Sequence, residues 1–173
     1  MATEAQRDFT RAIYAAALQA TDIAPEFVTA QAILESGWGK SRVGRFNLFG
    51  ITKGTGWAGK TVLVLTHEYF TTPDRTFSSP ERVVSVCKVK NKRLWHYTVY
   101  RLFKDFDTLE DCLCEHTRLL QKPGFADAWP FRRDAEEFAR RICDALGSRY
   151  ATSPDYLSMM LLLIKSVRQI CAK

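Results

Sequence analysis

The spacing of hydrophobic positions changes period twice along the chain, from helical to strand-like and back. Phe9, Ala12, Ile13, Ala16, Ala17 and Ala20 recur at the spacing of one helix face, which predicts a first amphipathic helix with a mostly small-residue contact surface. Thr21-Asp22 closes it, and Pro25 suits the first turn of a second helix, where its missing N–H costs nothing. In that helix Val28, Gln31, Ala32 and Glu35 share a face, and Gly37 and Gly39 stop it. The loop Phe46-Asn47-Leu48-Phe49-Gly50-Ile51 then leads into strand-forming sequence. Runs from Thr61 to Phe70, Val83 to Val89 and Leu94 to Phe103, separated by turn signals such as Thr72-Pro73-Asp74, predict a small antiparallel β-lobe over about residues 60–103. A two-residue period would put Lys88, Lys90 and Lys92 on one side of the second run.

Past Asp107 the helical period returns. Leu109, Cys112, Leu113, His116, Leu119 and Leu120 form one stripe with Asp107 or Thr108 placed to cap it. Pro123-Gly124 and Trp129-Pro130 mark turns, and Asp134 starts a helix carrying Phe138, Ile142 and Leu146 that Gly147 ends. Ser153-Pro154 opens a last helix through Leu157, Leu161, Ile164 and Ile170. The fold class is α+β, mainly α: residues 1–173 form a single helical domain with a small β-lobe, of ordinary domain size and without repeat or linker.

Charge and cysteine content narrow the partners. The net charge of +6, from 25 basic against 19 acidic residues, favours a polyanionic partner such as nucleic acid, an anionic membrane or a wall polymer. The basic residues are not interleaved with aromatics in a known nucleic-acid reader pattern, so no nucleic acid is expected. The run Met159–Ile164 is far too short for a membrane span, so membrane insertion is not expected either. Glu4 and Asp8 interrupt any secretory h-region, so no signal peptide is expected. Five cysteines, an odd number at irregular spacing, argue against a disulfide framework. Cys112 and His116 share a helix face while Cys114 points away, so buried thiols are a better reading than a metal site.

The candidate chemistry centres on Glu35. A carboxylate near a helix C-terminus feels the negative end of the macrodipole, and partial burial also disfavours its charge, so both raise its pKa toward what a general acid needs. A structural role, closing the helix or pairing with Lys40 or Arg42, is equally compatible with the helix context. The segment from Lys53 to Lys60 resembles a phosphate-binding loop only loosely, because its Gly59-Lys60-Thr61 ending reads as out of spacing with Gly54, no strand run leads into it and no helical pattern leaves it.

Three segments, in order, resemble the bacterial N-acetylglucosaminidases of glycoside hydrolase family 73, the wall-cutting module also found in flagellar peptidoglycan hydrolases. They are Ala30-Gln31-Ala32-Ile33-Leu34-Glu35-Ser36-Gly37-Trp38-Gly39-Lys40-Ser41 with Asn47-Leu48-Phe49-Gly50-Ile51; Thr66-His67-Glu68-Tyr69; and Tyr150-Ala151-Thr152-Ser153-Pro154-Asp155-Tyr156. The resemblance implies a lysozyme-like fold and cleavage of the β-1,4 bond after N-acetylglucosamine in peptidoglycan. It implies Glu35 as general acid, Glu68 as second carboxylate (base, nucleophile or charge stabiliser, with the substrate's acetamido group as a rival nucleophile) and Tyr150 as the active-site tyrosine. Asn47, Phe49, Trp38, Tyr69 and Tyr156 are then the substrate-binding positions, through ring stacking and amide hydrogen bonds.

The stretch between Tyr69 and Tyr100 is longer than the family pattern, and Ser153 stands where an aspartate is usual. The expected partner is the peptidoglycan glycan strand, bound by a monomer that needs no metal or organic cofactor. Such a protein is made in the cytoplasm and reaches the cell wall by a non-standard route. The rival activities are a lysozyme-like muramidase or lytic transglycosylase and, from another class, a non-catalytic wall-binding protein.

Overall fold

The computed structural model describes residues 2–144 and 155–172. Thr3 starts the first helix, α1 (Glu4–Ala20), through a capping box in which its side chain accepts from the Gln6 N–H and the Gln6 side chain accepts from the Thr3 N–H. The buried face of α1 is Thr10, Ile13 and Ala17, while the predicted face residue Ala12 is exposed. Helix α2 (Pro25–Ser36) is the axis of the helical body, with Phe27 through Ile33 all buried. It packs against α1, against α4 (Ala135–Asp144) and against α5 (Tyr156–Cys171), and α3 (Leu109–Leu120) closes onto α1. A helix enclosed on all sides loses the amphipathic stripe that a surface helix carries.

The β-lobe is an antiparallel sheet of β1 (Thr61–Phe70), β2 (Arg82–Lys88) and β3 (Trp95–Lys104) in the order β1-β3-β2, so all three predicted strands are present within a residue or two of their expected limits. Tyr97 and Val99 of β3 are fully buried, and Tyr97 meets Phe70 edge-on at 5.1 Å. Its hydroxyl donates to Thr72 O at 2.9 Å, which ties the start of the long β1–β2 connection to the sheet.

Three expectations change. Lys90 and Lys92 lie in the β2–β3 turn, not on a strand face: β2 ends at Lys88, the Val89 N–H bonds Leu94 O at 2.9 Å, and Asn91 turns the chain at φ 60°. The buried face of α5 is Tyr156, Met160, Ile164 and Val167, whereas Leu157, Leu161 and Ile170 are only half-buried, because the run Met159–Ile164 is apolar on every side and hides the period. Residues Gly54 to Thr61 do carry the spacing of the phosphate-loop signature, but the chain leaves them as strand β1 where a phosphate loop needs a helix N-terminus, and Lys60 Nζ is bound to Asp107 at 2.6 Å. The helix cap Thr108 and the burial of Cys112 and His116, with Cys114 exposed, are as predicted. Leu146, Gly147 and Ser153-Pro154 lie outside the described residues.

Candidate active site

Glu35 occupies the penultimate position of α2, and a tight turn follows it. Gly37, Trp38 and Gly39 all take the left-handed region, at φ 55°, 57° and 77°. Ser36 holds this strained run: its Oγ donates to Ala32 O at 2.6 Å and accepts from the Gly39 N–H at 2.8 Å, while its carbonyl accepts from the Ser41 N–H at 2.8 Å. Glycine is required at 39 for two reasons, its positive φ and a Cβ that would stand 2.8 Å from the Phe9 ring. The Glu-Ser-Gly-Trp-Gly sequence is thus a device for ending α2 abruptly with a carboxylate on its last turn.

Glu35 remains exposed on one side, yet protein crowds its carboxyl, and this burial raises the pKa. The opposing influence is the Tyr156 hydroxyl, which donates to Glu35 Oε1 at 2.9 Å and stabilises the charged form. Neither Lys40 nor Arg42 pairs with it among the described residues; Arg42 instead donates to Gly39 O at 3.3 Å. Tyr156, expected to contact sugar, is buried and serves as the side-chain partner of the acid.

Asn47 and Phe49 depart further from expectation. Asn47 is fully buried, its amide donating to Ile51 O and Lys104 O, both at 2.9 Å, and accepting from the Ile51 N–H at 2.9 Å. All three bonds go to backbone, so Asn47 joins the helical body to β3 and has no amide group left for a sugar. Phe49 is buried with its ring stacked on His116, centroids 3.9 Å apart and planes 17° apart. The Asn47–Ile51 segment therefore supports the site from behind.

Glu68 lies on β1, and both its carboxylate oxygens are 2.8 Å from Arg101 Nη1 on β3. The same guanidinium donates through Nε to Glu81 at 3.0 Å, and Glu81 also accepts from the Leu102 N–H at 2.9 Å. Sequence reasoning singled out neither Arg101 nor Glu81; a basic residue on the strand that pairs with Glu68 was the only signal. Adjacent strand residues point to opposite faces, so Tyr69, 59% exposed and 5.0 Å from the His96 ring, is on the face away from Glu68. Trp38 lines an apolar groove with Ile33, Leu34, Met159, Leu162 and Leu163. Tyr150 lies outside the described residues.

The chain as a whole, of which this turn is one part, has known relatives. The family model described as glucosaminidase, mannosyl-glycoprotein endo-beta-N-acetylglucosaminidase, matches residues 11–169. The chain belongs to the glucosaminidase family. A probable N-acetylmuramidase of Lactococcus lactis subsp. cremoris is 33% identical over 161 residues, covering 90% of this chain and 32% of that protein. The peptidoglycan hydrolase FlgJ of Escherichia coli K12 is 26% identical, over 91% of this chain and 44% of its own length. The chain thus spans from a third to less than half of the curated relatives it matches. Among solved structures, a peptidoglycan hydrolase mutant from Sphingomonas sp. A1 superposes with a TM-score of 0.65 at 26% identity, covering 98% of this chain and 99% of that one. The fold of that hydrolase therefore extends across essentially the whole chain, β-lobe included. No described helix is long and apolar enough to cross a membrane.

Proposed function

We propose that the protein is a peptidoglycan hydrolase, an endo-β-N-acetylglucosaminidase that cleaves the β-1,4 bond between N-acetylglucosamine and N-acetylmuramic acid with Glu35 as general acid. The observation that carries this reading is the environment of Glu35: a carboxyl on the last turn of α2, raised in pKa by burial, open on one side, and held among the described residues by one hydroxyl, on Oε1. A protonated carboxyl can give its proton to the glycosidic oxygen, which would otherwise leave as an alkoxide. The +6 charge suits a wall carrying anionic polymer. Action in the cell wall follows from that substrate.

Glu68 is the second carboxylate in this reading, and in the present conformation Arg101 occupies both its oxygens. As base or nucleophile it would have to use the lone pairs that this pair leaves, whereas the acetamido group of the substrate is already attached next to the reacting carbon. Assistance by the acetamido group, with Glu68 supporting charge in the lobe, demands the least rearrangement. Glu68→Gln is then expected to lose less turnover than Glu35→Gln.

The lactococcal relative, a probable N-acetylmuramidase, favours one second reading, cleavage on the muramic acid side. Mass spectrometry of digested wall separates the two: reducing N-acetylglucosamine ends support the proposal, while reducing or anhydro-muramic acid ends refute it.

A further inference from the structure

The hydroxyl that holds Glu35 is the outer end of a hydrogen-bonded run that goes into the core. Tyr156 Oη lies 2.8 Å from Gln31 Nε2, and Gln31 Oε1 lies 2.6 Å from His116 Nε2. Gln31 and His116 are both fully buried, on α2 and α3, 85 residues apart in sequence.

The direction of every proton in this run follows from its inner end. Burial holds the His116 imidazole neutral, with its pKa pushed down to about 3, so the ring carries one N–H. Nδ1 has no partner among the described residues. A proton there would be a buried donor without an acceptor, whereas a proton on Nε2 meets Gln31 Oε1. His116 therefore donates from Nε2, and this fixes which end of the Gln31 amide is oxygen. The amide nitrogen, which can only donate, faces Tyr156. The tyrosine oxygen accepts that bond, and its single hydrogen goes to Glu35 Oε1. The Phe49 ring lying flat on His116 keeps the imidazole from turning over.

We propose that His116 and Gln31 are positioning residues for Glu35: through Tyr156 they reserve Oε1 as an acceptor, so that the proton Glu35 transfers is carried on Oε2. The inference rests on the reading of Glu35 as proton donor. No charged side chain among the described residues acts on Glu35, since its pKa is set by burial and by Tyr156. Among the described residues, the relay is the side-chain influence on that pKa.

The test is the pH dependence of kcat on purified wall. Gln31→Met keeps the volume and removes both bonds, so the Tyr156 hydroxyl loses the donor on its inner side. Weaker donation to the carboxylate raises the Glu35 pKa, so the alkaline limb should move to higher pH. Loss of alignment should lower kcat by about 10- to 100-fold with KM within about twofold. Tyr156→Phe should move the limb the same way, and Gln31→Met added to Tyr156→Phe should move it no further. His116→Met should reproduce the Gln31→Met shift and His116→Gln, which retains an N–H at the place of Nε2, should restore the parent limb. The histidine pair makes the comparison from the far end, so a Gln31→Met chain that does not fold leaves the test intact.

An unmoved limb in folded Gln31→Met or His116→Met, or an equal further shift in the Tyr156→Phe background, overturns the relay, because a merely structural network would lower stability without moving a pH limb. Glu35→Gln separates the two failures. If that variant turns over normally, the donor assignment falls; if it is inactive while the limb ignores Gln31→Met, only the relay falls.

Discussion

Acid stability is a sensitive reporter of His116. The ring is fully buried and its pKa is lowered from 6.5 to about 3, so between those values the unfolded chain takes up a proton that the native protein refuses. A group with a depressed basic pKa costs stability below its unfolded value, so the loss begins near pH 6.5 and grows until the native ring titrates near 3. From pH 7 to pH 4.5 the proton uptake favours the unfolded state by nearly two factors of ten, on the order of 2–3 kcal/mol from one side chain. A native pKa one unit higher would scarcely change this figure, because the ring would still be largely neutral at pH 4.5. His116→Gln keeps the donor toward Gln31 and removes the titration. Urea unfolding at both pH values, followed by tryptophan fluorescence, should show a pH-dependent loss smaller by about 2–3 kcal/mol in the variant, on top of a pH-independent cost from losing the Phe49 stack. The carboxylates titrate alike in both proteins and cancel. Parallel pH dependence in the two would show that His116 is not held neutral, and the proton directions of the relay would then not follow.

Three further perturbations test the structural basis of the site. Gly39→Ala meets both the positive φ and the Phe9 ring, and should cost ~2 kcal/mol, a Tm drop of about 4–8 °C, whereas Gly37→Asn, with open space and a left-handed backbone that asparagine tolerates, should cost under about 1 kcal/mol. Asn47→Ala leaves Lys104 O and the Ile51 N–H without their partners, while Ile51 O keeps the Lys104 N–H at 3.0 Å, and should lower stability by ~2 kcal/mol or more, with hydrogen exchange rising at the β3 junction; unaltered exchange there would contradict the joining role. Arg101→Met strands Glu68 and Glu81, both about four-fifths buried, and should cost ~1–3 kcal/mol in denaturant unfolding, while the double variant with Glu81→Gln should recover part of that loss.

The parts of this protein that are legible in its sequence are those set by local chemistry. Pro25 and Gly37 mark the ends of α2, and the β-branched and aromatic runs mark the three strands, because these residues act on their own backbone. The lysine face was misplaced because Asn91 supports a left-handed turn inside an otherwise strand-like run, and the face of α5 was misplaced because its apolar residues cover every side. Glu35 was legible as an acid at a helix end. Asn47 and Phe49 were assigned to the substrate because an amide and a ring suit a sugar as well as they suit backbone and imidazole; only burial separates the two. Tyr69 and Glu68 could have been separated by strand parity alone. The relay is a different matter: Gln31 was visible as sharing a face with Glu35, but its partners His116 and Tyr156 meet it only once α2, α3 and α5 have packed together.

The central claim is that Glu35 supplies the proton for glycosidic cleavage. Glu35→Gln retains the shape of the side chain and an oxygen to accept from Tyr156, but has no acidic proton. Release of reducing ends from purified peptidoglycan, assayed beside the parent protein at matched folded concentration, is the direct measurement. Loss of at least about a hundredfold in kcat with wall binding retained is the predicted result; turnover comparable to the parent would contradict it.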